Sequence, residues 1–334
     1  MSLSHDITVT ELCGAYWKFA KTHYIKHGEL TDAIYGVKVA LRQLREKYGH
    51  TRAVEFGPLA PKAIRQQMIE LDLSRTYINE TVAKIKRVFK WSVREELLPI
   101  ETYQALTTLE GLRAGRSAAR EPARVVPVED SVVESTLPKL SGIVADMVRF
   151  QRLTSCRPGE VCIVRPCDID RSGDVWAYRP DSHKTEHHGR DRVIFIGPQA
   201  QQVLRPYLLR PAKAFCFSPA ESVKLRREEA SRCRRTPLSC GNRAGTNRKR
   251  QPKHQPGEHY SVDSYRQAIH RACAKAGVEQ WSPNQLRHTA GTDIRQKYGL
   301  EAAQVILGHA AADVTQVYAE RDMAKAAAVM LEIG

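Results

Sequence analysis

Residues 282–320 read SPNQLRHTAGTDIRQKYGLEAAQVILGHAAADVTQVYAE. Helical patterning that begins near Val262 runs through this stretch and almost to the end of the chain. Taken one at a time, its polar residues are ordinary. A histidine after Leu307-Gly308 reads as a helix start, Tyr318 as a half-buried core tyrosine, and His288 beside Arg287 as packing. The rest of the chain changes their weight. Its 334 residues carry 52 Lys and Arg against 37 Asp and Glu, a formal charge of +15, with a pI near 9.5. That excess selects a polyanionic partner, nucleic acid before an anionic membrane surface. No apolar run approaches the ~18 residues a spanning helix requires. The opening MSLSHDITVTELCG has neither the basic leader nor the apolar stretch of a signal peptide.

Working outward, the length suits two domains, and 42% hydrophobic with 27% charged residues is globular composition. The first hundred residues read as helices. Ala15, Tyr16, Phe19 and Ala20 recur at helical spacing after Leu12. A second helix runs from about Thr31 through Ile34, Val37, Leu41, Leu44 and Tyr48 to Gly49, and Pro61 suits the first turn of a third. The fourth spans about Arg75 to Leu97 and ends at Pro99, with Val82, Ile85, Val88, Phe89 and Trp91 apolar. Its other face carries Lys84, Lys86, Arg87 and Lys90, a solvated face that also suits contact with a phosphate backbone. Residues 111–127 then hold Arg113, Arg116, Arg120 and Arg124 among Gly and Pro, which reads as a basic linker.

The second domain opens with helical patterning over about 131–151. The run CDIDRSGD, VWAYRP, SHKTEHHGRDRVIFIG suggests two or three antiparallel strands. Residues 221–256 contribute +8 of the +15 with almost nothing apolar, the composition of a loosely held basic insertion. Past Tyr318, residues 321–333 pattern as a short amphipathic helix. The eight cysteines include no pair two residues apart, so reduced thiols are expected and no metal site. A zinc built from Cys233, Cys240 and His254 is disfavoured by its spacing.

The 282–320 stretch resembles the C-terminal signature of the tyrosine recombinases, the phage-integrase family, in Leu286-Arg287-His288-Thr289, Leu307-Gly308-His309, Thr315 and Tyr318. Upstream, Thr154-Ser155-Cys156-Arg157-Pro158-Gly159-Glu160 resembles the turn that presents the family's first arginine. His183-Lys184-Thr185 resembles its hairpin lysine. The likeness spans roughly residues 8–325, with four elements in order. One position departs: Asn284 stands where the family usually has a histidine, and an amide can hydrogen-bond but cannot accept a proton near neutral pH.

The resemblance implies a mainly α fold with a small antiparallel β-sheet. Residues 1–110 would be a helical, SAM-like core-binding domain on DNA, 111–127 the linker, and 128–334 a mixed α+β catalytic domain. It implies Arg157, Lys184, Asn284, Arg287, His309 and Tyr318 as the catalytic set, with Glu160 orienting Arg157 and His288 packing behind. The residues support it on physical grounds. A phosphodiester under attack becomes dianionic, and permanently charged, bidentate guanidiniums suit it. A phenol can act as nucleophile, a lysine can protonate the departing oxygen, and the tyrosyl ester conserves bond energy, so neither metal nor ATP is expected. The expected partners are double-stranded DNA and further copies of the chain, as a homotetramer on paired sites or a monomer without DNA, in the cytoplasm at the nucleoid. Two rivals remain: a type IB topoisomerase-like enzyme, and a DNA-binding relative whose chemistry is weakened at Asn284.

Overall fold

The computed structural model describes residues 6–26, 28–181, 192–237, 239–240 and 255–308. Its chain forms two compact units, Met1–Arg124 and Val125–Gly334.

The first unit is a helical bundle. Helix α1 (Val9–His23) starts at a reciprocal cap: Glu11 N donates to Thr8 Oγ1 at 3.3 Å and Thr8 N donates to Glu11 Oε2 at 2.8 Å. A two-residue hairpin, β1 (Ile25–Lys26) and β2 (Glu29–Leu30), precedes α2 (Ala33–Tyr48) and α3 (Leu59–Glu70). Helix α4 (Arg75–Arg94) lays Ile78, Val82, Ile85, Val88 and Phe89 into the core beside Leu12, Val37, Leu44 and Ile64. Phe89 stacks on Phe56 at 4.6 Å between ring centroids. Each such side chain removed from water stabilises the bundle by ~1.5–3 kcal/mol. Helix α4 stops three residues short of the sequence expectation, where Glu96 turns left-handed at φ 56°. Pro99, expected only as a stop, also caps a further helix, α5 (Ile100–Thr107), anchored by buried Leu106.

The stretch read as linker from its composition packs largely on this unit. Asn79 pairs with the Leu112 peptide in both directions, donating to its carbonyl at 2.9 Å and accepting from its N–H at 2.8 Å. Ala119 is buried, Arg75 N donates to Arg120 O at 2.8 Å, and the Arg75 guanidinium holds Glu121.

In the second unit, α6 (Asp130–Thr136) and α7 (Gly142–Thr154) replace the single expected helix, separated by a 3-10 turn containing Pro138. The short α8 (Pro158–Cys162) leads to a three-stranded antiparallel sheet of β3 (Ile169–Asp170), β4 (Trp176–Tyr178) and β5 (Ile194–Ile196), in that order. Tyr178 pairs with Ile169 on one side and Ile194 on the other. Alternation along β5 buries Ile194 and Ile196 and leaves Phe195 52% exposed. Helices α9 (Pro198–Leu204), α10 (Pro219–Arg232), α11 (Val262–Ala276) and α12 (Pro283–Leu307) follow. Phe150, Tyr178, Phe217, Tyr265, Trp281 and Leu286 fill the core.

Helix α10 corrects one expectation, because the start of the basic insertion is ordered as helix rather than loose chain. None of its residues is buried. Its order comes from good helix formers (Lys224, Leu225, Arg226, Arg227, Glu228, Glu229, Ala230), a first-turn proline, and anchoring by Arg210 on Glu221 at 3.1 Å and Ser222 on Ser141 at 2.9 Å. All eight cysteines are free thiols. Among the described residues no helix is long and apolar enough to cross a membrane, and no three His, Cys, Asp or Glu side chains group as a metal site.

Candidate active site

Helix α7 ends with Ser155 in the left-handed region (φ 56°), which turns the chain sharply into Cys156 and Arg157. Arg157 is the residue before Pro158, held extended (ψ 151°), and its N–H donates to Glu160 Oε2 at 2.7 Å. The Arg157 Nη1 donates to the other carboxylate oxygen at 2.9 Å, leaving the guanidinium about one-fifth exposed. Glu160 is buried, at 3% exposure, and takes a second cation, Arg192 Nε, at 3.3 Å. Burial alone would raise its carboxyl, but Arg192 and the hydrogen bonds and charge of Arg157 hold it below the usual glutamate range. The Tyr178 hydroxyl donates to Glu160 O at 2.9 Å, fixing this short helix to the sheet.

Arg287 reaches the same turn from α12. At 2% exposure its guanidinium donates to Ser155 O at 2.7 Å and to Leu307 O, at the far end of its own helix, at 2.5 Å. A buried amide closes the arrangement. Gln151 Nε2 donates to Cys156 O at 3.2 Å and to Pro283 O at 3.0 Å, while Tyr265 donates to its Oε1 at 3.1 Å. The turn carrying Arg157 is thereby tied to the first turn of α12, where Asn284 is exposed three residues before Arg287, on the same side of the helix. Cys156 lies among these charges. Burial first, then Glu160, push its thiol up to about 12, against Arg192 and Arg287. His288 is half-buried, and burial followed by the Arg287 charge lowers its imidazole, favouring the neutral ring.

Helix α12 contains a break at Gly299 (φ 89°, ψ 178°) and closes on Gly308 in the left-handed region (φ 63°). Gly308 has two reasons to be glycine: its φ, and a Cβ built there would fall 2.3 Å from Arg192 Nη1. Arg192 Nη1 donates to Ile306 O at 3.3 Å. The structure thus brings Arg157, Glu160 and Arg287 together and sets Asn284 at the mouth of the same helix. Lys184, His309, Tyr318 and residues 321–333 lie outside the described residues. Sequence reasoning missed Arg192 and Gln151. A usable signal for Arg192 was its place directly before the apolar strand Val193-Ile194-Phe195-Ile196.

The basic residues of the first unit sort by partner. With roughly 100° per residue, Lys84, Arg87, Lys90 and Lys86 span the arc of α4 opposite its buried side chains. Arg87 and Lys90 are exposed at its centre, Arg87 donating to the Tyr24 hydroxyl at 3.3 Å. Lys84 sits 3.5 Å from Glu80. Lys86 departs from the expectation of a free cation: its Nζ donates to Leu109 O, and burial and then Arg65 lower its pKa. In 111–124, Arg113 pairs with Glu110 at 2.9 Å and Arg120 with Asp72 at 3.3 Å, whereas Arg116 is exposed with no ion pair among the described residues.

Solved structures share this architecture. A lambda integrase dimer bound to a COC' core site matches at TM-score 0.66 and 12% identity, over 95% of this chain and 97% of that one. A lambda integrase tetramer bound to a Holliday junction matches at 0.66 and 11%, over 95% and 78%. The Tn1549 transposon integrase in complex with transposon right end DNA matches at 0.66 and 16%, over 98% and 99%. At such identities the likeness establishes the fold. No curated protein sequence matches. The phage integrase family model matches residues 139–325, more than half of the chain and every residue of the Arg157–Arg287 site, so this protein belongs to the phage integrase family, the tyrosine recombinases that break and rejoin DNA.

Proposed function

We propose that this chain is a site-specific recombinase that cuts one DNA strand at a time through a 3′-phosphotyrosine at Tyr318, integrating or excising a mobile element or prophage. The observation that carries the reading is the pairing of Arg157 and Arg287 at one turn, each fixed by internal acceptors before any phosphate arrives. Such preorganised donors need no rearrangement as charge develops, and losing one typically costs ~10²–10³ in rate.

The Tyr318 oxygen attacks the scissile phosphorus, and Arg157, Arg287 and His309 meet the dianionic pentavalent species. The bond to the 5′ oxygen breaks and Lys184 supplies that oxygen's proton. Asn284 donates a hydrogen bond to the phosphate but takes up no proton, so the phenol's proton passes to water. A 5′ hydroxyl from the partner duplex reverses the step through a Holliday junction. The ester conserves the bond energy, so the chemistry calls for neither ATP nor metal. The first unit, with Arg87 and Lys90 foremost, grips the duplex; Lys84, Arg113, Arg116 and Arg120 flank it. A homotetramer on paired sites is the working assembly, with residues 321–333 as the link between protomers. The matching lambda integrase structure, a tetramer bound to a Holliday junction, and the Tn1549 integrase in complex with transposon right end DNA support this partner and assembly.

The test is a suicide duplex nicked so that religation is impossible. A covalent adduct on Tyr318, lost in Tyr318→Phe with duplex binding retained, is expected. Binding without an adduct would leave a DNA-binding relative, the rival that Asn284 motivates. An adduct with relaxation of a single duplex but no exchange between paired sites would indicate a topoisomerase-like enzyme.

A further inference from the structure

We infer that Arg192 is a positioning residue of the active site, tying the carboxylate that orients Arg157 to the end of α12 from which the chain continues to His309. Its side chain is 4% exposed. Nε donates to Glu160 Oε1 and Nη1 to Ile306 O, each at 3.3 Å. The next carbonyl, Leu307 O, accepts from Arg287, whose other arm holds Ser155 O, two residues before Arg157. The bonds therefore close a ring: Arg157 to Glu160, Glu160 to Arg192, Arg192 to the last turn of α12, α12 to Arg287, and Arg287 back to the Arg157 turn. Two guanidiniums on successive carbonyls also satisfy acceptors that a helix end leaves without partners, where its dipole is negative.

Stability alone does not account for this arginine. Its Nη2 is buried with no hydrogen-bond partner among the described residues, and an unpaired buried donor is a cost that an apolar side chain of similar length avoids. What an apolar side chain cannot do is keep Glu160 ionised and aimed while fixing the helix end. Around the Glu160 carboxylate stand Arg157 from its own helix, Arg192 from the approach to β5, and, within electrostatic reach, Cys156 from the turn and Tyr178 from β4.

The inference rests on the strand-cleavage reading, and the experiment separates the two. Full-length wild type, Arg192→Met, Arg192→Lys and Arg192→Met/Glu160→Gln react with the same nicked suicide duplex, single-turnover, across pH 5.5–8.5, alongside duplex affinity and melting temperature. Arg192→Met should bind the duplex like wild type while its adduct rate falls on the order of 10- to 100-fold, the loss seen when an orienting partner is removed. Its rate should also climb with pH as Glu160, robbed of its second cation, ionises late. That climb should be steeper than wild type shows over the same range, and the double variant loses the extra pH step. Arg192→Lys, which folds if Arg192→Met does not, keeps a cation beside Glu160 but not the carbonyl bond: a pH profile shaped like that of wild type at about one-tenth of its rate is expected. A wild-type adduct rate in either single variant overturns the inference. So does parallel loss of melting temperature, binding and rate with no pH step. No adduct from wild type itself sinks the cleavage reading, and this inference with it.

Discussion

Replacing Gly308 by alanine tests the fixed position of Arg192 without touching a charged group. The added Cβ would lie 2.3 Å from Nη1 and 3.1 Å from Cζ of a side chain that is 4% exposed and held by Glu160 and Ile306 O. Gly277 supplies the control. It caps α11 in the same left-handed conformation (φ 68°), in the same unit, with nothing within 4 Å of a Cβ. An alanine there meets only the backbone penalty, ~1–2 kcal/mol, less the ~0.4–1 kcal/mol by which alanine restricts the unfolded chain. At Gly308 the guanidinium must also leave its partners, and stripping a buried ion of its partner costs about 3–5 kcal/mol. At ~2–4 °C per kcal/mol for a domain of this size, Gly308→Ala should melt roughly 6–20 °C below Gly277→Ala by calorimetry on the full chain. In an Arg192→Met background the excess should vanish, because the colliding atoms are gone. Melting temperatures of the two alanine variants within about 2 °C of each other would show that Arg192 moves aside freely, and the ring argument would lose its rigid member.

Other expectations concern the same site and the basic face. Asn284→His should hold or raise the adduct rate at little structural expense, since position 284 is exposed at the start of α12; a large loss would mean the residue is not at the phosphate. Exposed Lys90→Gln should lower the dependence of log affinity on log salt by about 0.9, whereas Lys86→Gln should leave that slope unchanged, because its ammonium is committed to Leu109 O. Equal slopes for the two would refute the sorting by partner. Glu160 has a depressed carboxyl pKa, so its contribution to stability is complete above the ordinary glutamate value and disappears as pH falls through the lowered one. The melting-temperature gap between wild type and Glu160→Gln should therefore shrink from pH 7 to pH 3; a constant or widening gap contradicts the ion pairing. Glu160→Gln should also bind duplex at least as tightly as wild type while cleaving more slowly, visible as unchanged affinity with a reduced single-turnover rate.

Local signals were legible in the sequence, and distant ones were not. The spacing of Val82, Ile85 and Phe89 gave α4, because it follows from the turn of a helix. The role of Glu160 beside Arg157 came with the family resemblance, and the two residues pair across the start of α8. Pro99 was ambiguous for a physical reason: proline ends one helix and opens another equally well, and here it does both. The charge of 221–256 argued for loose chain, yet residues 221–232 are mostly strong helix formers held by two polar anchors. Gln151 and Arg192 escaped notice because their partners are remote in the chain. Gln151 meets Pro283 and Tyr265, and Arg192 meets Ile306, across more than a hundred residues. The place of Arg192 before an apolar strand was a hint, but a single sequence does not name the partners that draw it inside.

The contacts at the site also explain how arginines can be held in place before a phosphate arrives. Arg157 and Arg192 share a single carboxylate, and Arg287 leans on the carbonyls of Ser155 and Leu307, dipoles that fix a guanidinium without cancelling its charge. Three guanidiniums with one carboxylate leave these four side chains at +2. On the recombination reading that is the charge a dianionic pentavalent phosphorus demands, supplied in advance by the protein rather than recruited during the reaction. Carbonyl acceptors are available here because a sharp left-handed turn at Ser155 and a glycine-capped helix end at Gly308 both present carbonyls without helical partners to the same small volume.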